Sequence, residues 1–140
     1  MILEKQPPDI TRARRKAYKS YYRPRFIKWL AYTGELYWLP EPLLERAKRG
    51  KFDIEGVGVH HIIPLSLCRE EDNPNDFNNM ILIRSAEHTK IHKYFDYYVK
   101  DLKVGEILEI EAPKLPVFNP RGLDIYKKKK FYKNNYARER

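Results

Sequence analysis

All four histidines of this 140-residue chain fall between positions 60 and 92, and their spacing constrains the fold more than any other feature. The first two are adjacent, His60 and His61, and the last two, His88 and His92, are four apart. Between them Pro64 and the polar run Asp72 to Asn79 turn the chain before an apolar run, Met80 to Ile83. That order predicts a strand, a loop, a second strand and a helix. Ser85 is placed to cap the helix by accepting a backbone N–H, and Glu87 in its first turn complements the positive end of the dipole. With about 3.6 residues per turn, His88 and His92 share one helical face, where two imidazoles can hold one metal ion. Two such ligands need at least one more, and the doublet contains the only histidines left. Successive side chains of a strand point to opposite faces, so His60 and His61 can be given different jobs.

The segment from Gly56 to Tyr94 resembles the His-Asn-His (HNH, ββα-metal) nuclease motif, particularly the His-His doublet variant of colicin-type DNases and bacterial polymorphic toxins. The resemblance covers roughly 40 residues and rests on the doublet, the proline, the Asn-apolar run and His-x-x-x-His occurring in the required order. It implies that His60, His88 and His92 are metal ligands and that His61 is the general base. Asn79, nine residues before His88, falls at the middle Asn and is expected to pin the loop that holds the base. Its neighbour Asn78 leaves open that either residue merely shapes a turn. The implied reaction is phosphodiester hydrolysis leaving 5′-phosphate and 3′-hydroxyl ends.

Phosphodiester hydrolysis calls for these residue types. The substrate is anionic and its leaving group departs as an alkoxide, so a deprotonated water is needed on one side and positive charge on the other. One divalent ion held by neutral imidazoles keeps its full charge and open positions. Three imidazoles suit zinc, nickel or manganese better than calcium, with magnesium still open. A structural zinc staple would explain three histidines but has no need of an unliganded His61 beside a ligand.

The net charge of +9 is unevenly placed. Residues 11–28 contain eight Lys or Arg and no acid, among them Arg12, Arg14, Arg15, Lys16 and Lys19. The tail, with Lys127, Lys128, Lys129 and Lys130, is also strongly basic. The span between them, residues 29–126, carries twelve basic against sixteen acidic residues. Both basic ends interleave cations with tyrosine and phenylalanine, a composition that suits a phosphate backbone. Arg84, between the second strand and the helix, is a further candidate phosphate contact. DNA is the expected partner; nothing resembles a base-reading module, so weak sequence preference is expected.

The length suits a single domain of class α+β: a basic helical region over 1–51, a ββα-metal core over 52–102 and an extension with a basic tail over 103–140. Thr11 to Tyr22 reads as a helix stopped before Pro24, Arg25 to Tyr32 as a second, and Pro42 to Lys48 as a third closed by Gly50. Phe52 to Ile63 reads as the first strand of the motif, and its helix is expected to run to about Leu102. The stretch after Gly105 reads as a strand, and no functional signal is legible between Val104 and Tyr126. The single cysteine, Cys68, excludes an internal disulfide and a Cys-x-x-Cys zinc site. No signal peptide or membrane segment is apparent, so a cytoplasmic protein, or one delivered into a target cell's cytoplasm, is expected. A toxin domain neutralised by an acidic immunity protein fits the resemblance. A phage or mobile-element nuclease fits nearly as well, and a non-catalytic nucleic-acid-binding module with a structural metal is the third reading.

Overall fold

The structure, a computed structural model, describes residues 1–127. Lys128, Lys129 and Lys130 therefore lie outside the described residues. The fold mixes α-helices with two small antiparallel sheets. In chain order the elements are β1 (Ile2–Glu4), α1 (Pro8–Ala17), a π-type turn (Tyr18–Tyr22), α2 (Arg23–Tyr32), α3 (Glu41–Lys48), β2 (Val57–His61), a 3-10 turn (Phe77–Asn79), β3 (Met80–Arg84), α4 (Ser85–Val99) and β4 (Ile107–Glu109).

The centre of the molecule is the antiparallel pair β2 and β3, in a register that sets Val59 opposite Leu82, His60 opposite Ile81 and His61 opposite Met80. Residues opposite each other lie on one face of a pair, and the next along lie on the other. Val57, Met80 and Leu82 thus join an apolar cluster with Phe26, Ile27 and Leu30 of α2, Ala47 of α3, and Phe52 and Ile54. Ile81 and Ile83 face the opposite way, into a cluster with Leu3 of β1, Ile91 and Phe95 of α4, and Ile110. Each fully buried side chain of this size contributes about 1.5–3 kcal/mol. The hairpin is therefore a partition between two small cores, with His60 on the α4 side and His61 on the α2 side.

The expected break before Pro24 does not occur; α1, the π-type turn and α2 form a continuous helical run from Pro8 to Tyr32. Pro24 has no N–H to offer the carbonyl four residues back. The chain absorbs the mismatch by widening one turn, in which the Arg23 N–H bonds to the Tyr18 carbonyl five residues back. Gly50 does close α3, with φ of 84°. A Cβ there would come within 3.0 Å of Pro24 Cβ, so the end of α3 packs directly on the start of α2.

Other boundaries shift. The first strand of the hairpin is Val57–His61 rather than Phe52 to Ile63, because Phe52 and Ile54 are buried in the core outside the ladder. Ser85 is the first residue of α4 and makes no capping bond. Its N–H instead donates to the Gly56 carbonyl at 2.9 Å, carrying strand pairing into the helix start. The helix ends at Val99 rather than near Leu102. Residues after Gly105 do supply a strand, β4, and it pairs with β1 at the other end of the described chain.

Candidate metal centre

His60, His88 and His92 converge although the doublet and the helical pair are far apart in sequence: each offers a ring nitrogen, and all three nitrogens lie within 4.8 Å of one another. β2 delivers His60 on its α4 face, and the one-turn spacing on α4 delivers the other two. His88 Nε2 and His92 Nε2 are 2.7 Å apart, so in the metal-free chain one donates to the other. The His60 ring meets both partners, with centroids 4.9 Å from His88 and 6.0 Å from His92.

His60 is the informative member. It is 1% exposed, and neither Nδ1 nor Nε2 has a hydrogen-bond partner. An unsatisfied buried polar atom costs about 1–3 kcal/mol, so native folds rarely leave one without a purpose. Burial, reinforced by the charges that His88, His92 and His61 can carry, lowers its pKa to about 3. At neutral pH His60 is an uncharged imidazole with free lone-pair capacity beside two more imidazoles. This group could bind a metal ion.

His61 has a different environment. Its Nε2 lies 2.9 Å from Asn75 Oδ1. An amide oxygen only accepts, so Nε2 carries the proton and Nδ1 is left as the unprotonated nitrogen. The Asn75 orientation follows from its other end, where Nδ2 donates to the Arg14 carbonyl at 3.5 Å. The Tyr18 ring meets the imidazole edge-on, centroids 4.5 Å apart. Burial lowers the His61 pKa to about 4; the Asn75 hydrogen bond works against that shift and the Arg15 charge adds to it.

The loop between the strands is tied down along its length. Asn79 Oδ1 accepts from the Ile63 N–H at 2.8 Å, and its Nδ2 donates to the carbonyls of Ile63 and Pro74 at 3.1 and 2.8 Å. Backbone N–H groups of Glu4 and Gln6 donate to the Leu67 and Ser66 carbonyls. Asn78, by contrast, is exposed and only its backbone takes part, donating to Asp76 Oδ1.

The predicted phosphate contacts separate by environment. Arg12, Lys16 and Lys19 are exposed on α1 and the π-type turn. Arg14 points inward, its Nη1 donating to the Leu65 and Cys68 carbonyls at 2.8 and 2.7 Å, so it holds the loop. Arg15 is half-buried and close enough to act on His61. Arg84 Nη1 donates to the carbonyls of Asn119 and Arg121, fastening the segment after β4 across the hairpin. Lys127 pairs with Glu55 at 3.3 Å.

Sequence reasoning missed Asn75 and Tyr18. Asn75 lies in a polar run with Asn73, Asn78 and Asn79, and nothing in the run singles it out; only its burial, 4% exposed, does. Tyr18 is one of the aromatics interleaved with the first basic run, but nothing in the sequence points from it to His61. No helix among the described residues is long and apolar enough to cross a membrane. Comparison with protein-family models, with curated proteins and with solved structures finds no match to this chain.

Proposed function

We propose that the chain is a metal-dependent endonuclease of the HNH type, hydrolysing DNA phosphodiesters with little sequence preference. The observation that supports it best is the pairing of adjacent opposites: His60, buried and unpartnered beside His88 and His92, and His61, turned to the other face and held by Asn75. A purely structural metal would explain the first and leave the second without a reason.

His60, His88 and His92 would hold the ion. A divalent ion held by these neutral imidazoles would supply undiminished positive charge to an anionic phosphate and its leaving group. His61 takes the proton of the attacking water on Nδ1, while the Nε2 hydrogen bond to Asn75 keeps the ring in the tautomer that leaves Nδ1 bare. A pKa of about 4 makes His61 neutral but weakly basic in the free chain. An anionic phosphate arriving beside it raises that value toward the useful range, because negative charge favours the imidazolium. Asn79 acts on the loop rather than on a proton. Exposed Arg12, Lys16 and Lys19 supply sequence-independent attraction for the phosphate backbone.

The biological role that accords with a His-His doublet in a small basic frame is a toxin domain, with an acidic immunity protein as its partner. The deciding experiment is plasmid cleavage with zinc, nickel, manganese or magnesium, comparing the unaltered chain with His61→Ala after calorimetry has established equal metal binding. Cleavage by the first and not the second is the expected result. Absence of cleavage of DNA or RNA with every metal, by a chain that still binds metal, sinks the catalytic reading.

A further inference from the structure

The longest acid-free stretch of the sequence, residues 10–34, contains a face that the core does not use. α2 buries Phe26, Ile27, Leu30 and Ala31. Its opposite face carries Arg25, Lys28, Trp29 and Tyr32 at helical spacing, and all four are exposed. Trp29 is 46% and Tyr32 71% exposed, and they lie together on one face of the helix rather than scattered. Tyr21, 47% exposed in the widened turn, continues the stripe, with the Arg25 guanidinium 3.5 Å from its ring centroid. From Tyr21 to Tyr32 the stripe spans roughly 16 Å at the rise of a helix. Tyr18, one turn before Tyr21, lies on the other side of the run, packed against the core with its ring on His61.

Cations alone would suffice for a duplex, whose phosphates face outward and whose bases are stacked inside. Exposed rings gain little from such a ligand. Alternating rings and cations match a strand whose bases are free, because every unstacked base offers a π-face and every linkage offers a negative charge. An acidic protein surface would satisfy the cations but not the spacing of open rings.

We infer that this stripe is a binding track for an unpaired nucleic-acid strand. Tyr21, Trp29 and Tyr32 stack bases, and Arg25 and Lys28 neutralise phosphates. The inference rests on the nuclease reading and makes it narrower: the substrate is single-stranded or locally unpaired.

The test uses the full chain carrying His61→Ala, which leaves the stripe intact, with a fluorescent oligothymidine and a duplex of equal length as probes. Adding Tyr32→Ala or Trp29→Ala is expected to weaken oligothymidine binding by roughly 5- to 150-fold each, the range expected for loss of one stacked base, and to leave duplex binding within about twofold. Arg25→Ala is expected to lower the salt dependence of single-strand binding by about 0.7 in log–log slope. Trp29 also packs on Phe26 and Phe77, so Tyr32→Ala, at a ring without that packing, separates lost stacking from a disturbed fold. If the aromatic variants bind both probes as tightly as their parent, or lose both equally, the track is refuted while the nuclease reading survives. If the parent binds neither probe, both readings fall together.

Discussion

The two faces of the β2–β3 hairpin carry the same residue type in contrasting states. On the α4 face His60 is sealed in with no hydrogen-bond partner and two imidazoles for company. On the α2 face His61 has one nitrogen engaged by Asn75 and its ring against Tyr18. Burial depresses both pKa values, so titration alone would not distinguish them. The partners do. A histidine left unpartnered among others is prepared for an external ligand, and a histidine with one nitrogen fixed is prepared to use the other. In the proposed reading, one strand would separate two tasks by the simple fact that consecutive side chains face opposite ways.

The sharpest way to break the contrast is to remove the buried partnerless ring. His60→Ala is expected to abolish metal binding, measured by calorimetry with zinc, and with it any cleavage. The same change on the other face should behave differently: His61→Ala is expected to keep metal affinity and reduce cleavage by about 10²–10⁴-fold, the usual scale for loss of a general base. Asn75→Ala should lie between, retaining metal and losing part of the rate through a misplaced His61. Equal loss of metal affinity in His60→Ala and His61→Ala would show that both rings serve the ion and that the division of labour is wrong.

How much of this was legible in the sequence follows from the range of each signal. The His spacing, the strand–loop–strand–helix order and the closure of α3 at Gly50 are set by residues a few positions apart, where periodicity and turn chemistry operate. The pairing of β1 with β4 joins three-residue strands about a hundred positions apart, too short to alternate visibly. The continuous helix through Pro24 depends on a widened turn, a local adjustment that a rule about proline does not anticipate. Arg14 is the most instructive case. Within a cationic run it is indistinguishable from Arg12, yet Arg14 supports the loop and Arg12 faces outward, because only the fold decides which side of α1 meets the core.

A pH titration of the metal-free chain tests whether both faces hold neutral rings. The folded values of about 3 for His60 and about 4 for His61 lie below the ordinary 6.5, so the unfolded chain takes up these protons first. Stability is therefore fully present above about pH 6.5 and is lost progressively as pH falls toward 4 and then 3. The melting temperature measured by circular dichroism should fall over that window. Bound zinc should make the loss steeper, since protons compete with the ion for the same nitrogens. A melting temperature flat from pH 7 to pH 4 would mean that His60 is less sealed than its surroundings indicate.

The smallest effects compare the two arginines that fasten the hairpin's surroundings, one on each side. Arg14 is half-buried and its guanidinium supplies two loop carbonyls on the His61 side. Arg14→Ala leaves those carbonyls short of a charged donor and is expected to cost about 1.5–3 kcal/mol in urea unfolding. Arg84 makes the same two-carbonyl pattern with Asn119 and Arg121, but at exposed positions where water can replace it. Arg84→Ala should cost under about 1 kcal/mol and leave metal affinity unchanged. If Arg84→Ala nevertheless weakens DNA binding and lowers its salt dependence by about one phosphate contact, the residue has a second use beyond holding the C-terminal segment. A large loss of stability from Arg84→Ala, with Arg14→Ala nearly neutral, would reverse the ranking of the two arginines as structural fasteners.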